Sequence, residues 1–141
     1  MDDHTQGVGQ HELIELWGAT NLDSAEIAER ALREAVDAGG ATLLSVFVHR
    51  FEPHGVSAVA VIAESHLSLH TWPELGYCAA DVFTCGTRID MDAMRRVLER
   101  AFMPDEYRLT GVSMNSPTPE KSMIWSNLAP ISARFMPMIA P

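Results

Sequence analysis

A chain of 141 residues with a formal net charge of −9 has the length of one domain, and its core is small enough that association with a second copy would help it. The acidic balance argues against nucleic acid as a partner and suits either plain solubility or a cationic small-molecule ligand. No apolar run reaches the roughly 18 residues that span a membrane, and Met1 to Gly7 lack the basic and apolar regions of a signal peptide, so the chain reads as cytoplasmic.

In chain order, His11 to Trp17 predicts a first strand that Gly18 ends. A helix follows. Asp23 is placed to cap it, with Glu26 three residues later in a capping-box pattern. Ile27, Ala28, Ala31, Leu32 and Ala35 recur at helical spacing, and Gly39-Gly40 stops the run. Ala41 to Arg50 predicts a strand, Glu52-Pro53-His54-Gly55 a turn, and Val56 to Ala63 a second, nearly continuous apolar strand expected to be central. Their short connection makes the two antiparallel.

His66 to His70 alternates polar and apolar, the period of a half-buried strand. Trp72-Pro73-Glu74-Leu75-Gly76 breaks it, Tyr77 to Thr84 resumes, and Gly86-Thr87-Arg88 turns out. Asp90 caps a second helix with Met94, Val97, Leu98, Ala101 and Phe102 as its apolar stripe, closed by Pro104. Tyr107 to Met114 predicts a last strand. Residues 115–141, rich in proline and methionine, show no clear period and read as an extension of unknown role, so the domain is expected over 1–114. Strands in one block with two amphipathic helices imply an α+β sandwich, helices on one face of an antiparallel sheet.

Residues 64–86 concentrate the chemistry: two serines, two histidines, two glutamates, an aspartate and two cysteines among strand-type apolar and aromatic residues. Cys78 and Cys85 are seven apart in one predicted strand, an odd separation that puts them on opposite faces and forbids their pairing within it. His66 and His70 are four apart, which is one face of a helix, but the segment alternates like a strand; no other His, Cys or carboxylate falls at familiar zinc spacing, and no metal site is expected.

The stretch Glu64-Ser65-His66-Leu67-Ser68-Leu69-His70-Thr71-Trp72-Pro73-Glu74, then Gly76-Tyr77, then Asp81-Val82-Phe83-Thr84-Cys85-Gly86, resembles the core motif of the bacterial and archaeal S-adenosylmethionine decarboxylases, which are self-processing pyruvoyl enzymes. The resemblance covers roughly residues 11–114 and is most specific from 54 to 86. It implies a four-layer αββα homodimer of processed chains. It also implies decarboxylation of S-adenosylmethionine to the aminopropyl donor for spermidine, after autocatalytic cleavage between Glu64 and Ser65. The pyruvoyl cofactor derives from Ser65; its carbonyl can form a Schiff base with a substrate amine and accept electrons as carbon dioxide leaves. Processing requires the Ser65 hydroxyl to attack the preceding carbonyl, giving an ester, and a base to remove the serine α-proton before elimination and hydrolysis.

By the same resemblance His70 is the processing base, since an imidazole near its ordinary pKa can take that proton. Ser57 stabilises the oxyanion. Cys85 returns a proton to the substrate carbon after decarboxylation. Phe51 and Trp72 offer flat faces to a purine, Glu74 accepts from ribose hydroxyls, and Leu67 and Ser68 line the site through backbone or short side-chain contacts. Taken singly, each of these residues also has a plain structural use, as strand filler, core apolar group or solvated turn residue. Ser65 and His70 are five apart, so an ideal strand faces them oppositely, and a bulge or turn near Ser65 must bring them together.

Ala58 stands where the family commonly has glycine, and Leu75 where it commonly has an aromatic. Because Leu75 adjoins the ribose-binding position, a second reading keeps the pyruvoyl chemistry and takes a basic amino acid, L-arginine or L-ornithine. A third is a non-processing regulatory homologue, which the presence of Ser65, His70, Ser57 and Cys85 together opposes.

Overall fold

The computed structural model describes residues 9–85, 88–114 and 124–129. Its strands are β1 (Gly9–Trp17), β2 (Leu43–Arg50), β3 (Val56–Ile62), β4 (Ser65–Trp72), β5 (Tyr77–Thr84), β6 (Glu106–Met114) and β7 (Ile124–Ala129); its helices are α1 (Ala25–Ala38) and α2 (Met91–Phe102). The strands form one sheet in the order β2-β3-β4-β5-β1-β6-β7, and every neighbouring pair is antiparallel.

Strand pleating sorts the side chains onto two faces. One face carries Ile14, Leu16, Val56, Ala58, Ala60, Ile62, Leu67, Leu69, Cys78, Ala80 and Val82, all buried. The helices supply the opposing layer: Ala28, Ala31, Leu32, Ala35 and Val36 from α1, and Met94, Val97, Leu98 and Phe102 from α2. This is the expected α+β arrangement of helices on one face of an antiparallel sheet. The other sheet face has no covering layer among the described residues and carries Leu13 and Phe47 well exposed.

Side chains at the strand ends tie the layers together. Thr71 Oγ1 donates to the Leu22 carbonyl at 2.6 Å and accepts from the Val56 N–H at 2.8 Å. Asp23 accepts from the Gly55 N–H at 2.9 Å and pairs with Arg50 at 3.1 Å, so the β2–β3 turn is fastened to the start of α1. Gly55 itself sits at φ 105°, and a Cβ there would meet the Thr71 carbonyl oxygen at 3.2 Å, so the turn needs glycine.

Three expectations change. The α1 cap is Ser24, whose hydroxyl accepts from the Ile27 N–H at 3.1 Å; Asp23 is drawn off by Gly55 and Arg50. β3 is not the central strand but second from the β2 edge. Its apolar continuity comes from Val59 and Val61, which are half-buried on the uncovered face while their neighbours fill the core. Finally, the segment 115–141 contains β7, which pairs with β6, so the sheet extends past the expected domain boundary at 114. The rest of that segment, and Gly86 and Thr87 of the predicted turn, lie outside the described residues.

Replacing Ser24 by alanine removes the one side-chain acceptor at the start of α1 and is expected to lower stability by about 1 kcal/mol, read as a shift of the urea midpoint with unchanged slope.

Candidate active site

The site begins at the β3–β4 hairpin. Ala63 and Glu64 form a two-residue turn, and Ile62 pairs with Ser65. Tight two-residue hairpins place positive φ at their loop positions, using Gly, Asn or Asp. Here the positive φ falls instead on Ser65, at 148°. That region favours glycine and costs a non-glycine residue on the order of 1–3 kcal/mol. A strict pleat would put Ser65 on the same side as Leu67 and Leu69, which are in the core. Ser65 also borders a cavity of about 720 Å³, with His66, Ser68 and His70. Its departure from regular strand geometry is confined to that one backbone angle and involves no bulge: the β3–β4 register runs unbroken from Ile62–Ser65 to Ser57–His70.

That register sets Ser57 directly opposite His70, and the hydroxyl lies 2.8 Å from His70 Nδ1. Two residues singled out separately thus form one hydrogen-bonded pair. On the other side of β4, Thr84 pairs with Ser65, and the next residue, Cys85, donates its N–H to the Glu64 carbonyl oxygen at 2.9 Å. The carbonyl joined to Ser65 is therefore already polarised by a backbone donor. The side chain of Cys85 is exposed, whereas Cys78 is buried on the core face. Burial pushes the Cys78 thiol up to about 12, which keeps it protonated and inert at neutral pH.

His70 also borders a second cavity of about 330 Å³, whose walls include Phe51, Ser57, Trp72 and Glu74. Phe51 and Trp72 are 46% and 39% exposed, so both rings have a face free for a ligand. Trp72 also packs against Tyr77 at 5.4 Å. A Glu74 carboxylate oxygen lies 2.8 Å from His54 Nε2. Leu67 is fully buried on the helix side, so only its backbone can border the site; Ser68 borders the first cavity directly.

One group of residues escaped the sequence reading. Asp81 Oδ2 lies 2.6 Å from His11 Nε2 and 3.1 Å from His66 Nε2, while Ser68 donates to its other oxygen. Asp81 is on β5, flanked diagonally by His11 on β1 and His66 on β4, with Phe83 against both imidazole rings. Burial opposes ionisation of Asp81, but the hydrogen bonds from Ser68, His11 and His66 together outweigh it and hold the carboxyl below its usual range. Among the described residues His11, His66 and Asp81 also bring their ligand-type atoms within 4.8 Å of one another, a grouping that could hold a metal ion. His11 and His66 are 55 residues apart in the chain, and only the β1–β5–β4 pairing joins them, so no local spacing announces the group.

Comparison with known proteins bears on what this arrangement does. The family model described as S-adenosylmethionine decarboxylase matches residues 10–113. The chain is 48% identical over 109 residues to an S-adenosylmethionine decarboxylase proenzyme of Thermomicrobium roseum, a match spanning 77% of this chain and 94% of that one. It is 55% identical over 84 residues to the proenzyme of the same name from Methanococcus maripaludis, covering 58% of this chain and 69% of its relative. The fold superposes on a crystal structure of the adenosylmethionine decarboxylase from Aquifex aeolicus with a TM-score of 0.73 at 28% identity, covering 84% of this chain and 99% of that one.

Two outcomes follow from the site's electrostatics. A thiol reagent added to the folded protein is expected to modify Cys85 and spare Cys78 until denaturant is added, as read by peptide mass. The depressed Asp81 pKa contributes stability that is present above its unfolded value of about 3.9 and lost as pH falls through the lower folded value. Asp81→Asn is therefore expected to destabilise the protein at neutral pH and to narrow its gap from the unmodified chain below about pH 4, as measured by urea unfolding across that range.

Proposed function

The chain belongs to the S-adenosylmethionine decarboxylase family, and from that membership we propose that it cuts itself between Glu64 and Ser65 and then decarboxylates S-adenosylmethionine to the aminopropyl donor for spermidine. The observation that carries the reading is the Glu64–Ser65 peptide bond. Its carbonyl accepts from the Cys85 N–H at 2.9 Å, and its serine is held at φ 148° at the border of a cavity that His70 also lines. An unprocessed serine has no evident reason to carry that backbone cost. The name shared by the relatives favours S-adenosylmethionine over arginine or ornithine.

The residues present fit a pyruvoyl group formed from Ser65. That group supplies a carbonyl that takes the substrate amine and draws off electrons as carbon dioxide departs. The chain's own groups do the rest. His70, with Ser57 bonded to one ring nitrogen, serves as the base of processing: the hydrogen bond fixes its ring and leaves the other nitrogen to take the Ser65 α-proton. Ser57 also lies on the second cavity's wall and can donate to oxygen charge that develops during processing. Cys85, exposed and next in the chain to the partner of Ser65, holds the proton returned to the substrate carbon.

The second cavity suits the nucleoside end. Phe51 and Trp72 flank it with aromatic faces for a purine, and Glu74 accepts from ribose hydroxyls and places negative charge near a sulfonium. The uncovered sheet face, with Leu13, Phe47 and Phe51 exposed, is the surface on which a second processed copy would pack to make the αββα homodimer. Two free cysteines fit work in the reducing cytoplasm.

The denatured intact mass tests the reading first. Two fragments are expected, the larger beginning at position 65 and lighter than a serine-ended chain by one ammonia. Ser65→Ala is expected to remain one uncut chain, since alanine has no hydroxyl to attack. A chain uncut over days, or turnover of arginine or ornithine in place of S-adenosylmethionine, would refute it.

A further inference from the structure

The Glu64 side chain has no role in the reading above beyond preceding the cut. Its carboxylate nevertheless makes a specific long-range bond. Glu64 Oε2 accepts from the Thr42 N–H at 3.1 Å, and the Thr42 carbonyl in turn accepts from the Ala63 N–H at 2.9 Å. Thr42 immediately precedes β2, so both loop positions of the β3–β4 hairpin are tied to a segment twenty residues earlier. On the opposite side the Glu64 carbonyl is held by Cys85, just past the end of β5. Glu64 is thus gripped by its side chain towards β2 and by its main chain towards β5, and the residue between these grips and the strand is Ser65, at φ 148°.

A non-glycine residue stays in such a conformation only where its surroundings over-determine it. Two anchors on the preceding residue do that. A backbone N–H given to a carboxylate is a charge-assisted bond, stronger than its neutral counterpart. If it is lost, the turn can relax towards an ordinary hairpin and Ser65 towards the backbone angles of a regular strand. We propose that the Glu64 carboxylate is a positioning residue for self-cleavage, holding the turn in the strained form from which the Ser65 hydroxyl reaches the Glu64 carbonyl carbon. The step it serves is an isomerisation: the Oγ–C bond forms, the C–N bond of the Glu64–Ser65 peptide breaks, and the hydroxyl proton passes to the freed amine. No further reactant is needed.

The inference rests on cleavage at Glu64–Ser65, and one experiment separates the two. Purified uncut chain is followed by intact mass for the unmodified protein, Glu64→Met and Glu64→Gln. Methionine keeps the side-chain length without an acceptor; glutamine keeps an acceptor oxygen. Glu64→Met is expected to cleave roughly ten- to a hundredfold more slowly, through loss of the charge-assisted hydrogen bond that holds the turn, and Glu64→Gln, which keeps a neutral acceptor, to recover part of that loss. A merely structural role would lower the thermal stability of Glu64→Met together with its rate, whereas a positioning role slows cleavage at unchanged thermal stability. Added hydroxylamine, which cuts an accumulated ester directly, is expected to leave Glu64→Met slow, because the ester itself forms slowly. Cleavage of Glu64→Met at the unmodified rate, failure of glutamine to restore any of the lost rate, or full rescue by hydroxylamine would each overturn the inference while leaving the cleavage site intact. An unmodified chain that never cuts would remove the cleavage reading, and the inference with it.

Discussion

The strict two-residue period of β4 governs the site. Leu67, Leu69 and Thr71 must face the helices, because the core between sheet and helices is built from them and their neighbours on β3 and β5. That requirement forces His66, Ser68 and His70 to the other face, where the chemistry lies. Ser65 has the parity of the core residues. Its positive φ is the one irregular backbone angle of the strand; it lies at the first position, where pairing is easiest to disturb, and leaves the register of β3 and β5 against β4 intact. A bulge farther along would have turned every later side chain to the wrong face.

The same face explains the remaining polar groups. A sheet surface left without helices is expected to be largely solvated. This one is mixed: Val59, Val61 and Leu13 sit among His11, His66, His70 and Asp81. Polar groups on such a face must find partners, and Asp81 does: hydrogen bonds from Ser68, His11 and His66 outweigh the cost of its burial and hold its carboxyl below the usual range. The contrast between Cys78 and Cys85 has the same origin. Two thiols seven residues apart meet opposite environments because one lies on the core side of β5 and the other just beyond its end.

Where sequence reasoning erred, tertiary competition was the cause. Asp23 and Ser24 are both good helix caps. Asp23 was taken by the Gly55 N–H and Arg50, partners contributed by a turn some thirty residues away, and the hydroxyl of Ser24 was left to cap. The apolar run of β3 suggested a central strand, but part of that run, Val59 and Val61, lines a cavity on the uncovered face. β7 has only six residues and sits in a proline-rich setting, so its pairing with β6 carried no local announcement.

Locally encoded features were legible from the residues alone. Both amphipathic helices, the β2–β3 hairpin and the separation of the two cysteines follow from periods of 3.6 and 2 and from turn chemistry acting over a few residues, whereas Ser65, His70 and Cys85 were marked by the resemblance of their motif to a family. The tertiary structure alone decided what depends on non-neighbouring strands: the bonding of Ser57 to His70, of Cys85 to the Glu64 carbonyl, of Glu64 to Thr42, and of Asp81 between His11 and His66. These partners meet only when antiparallel strands align in one register, and that register is set by the burial of the opposite face, which no short window of sequence contains.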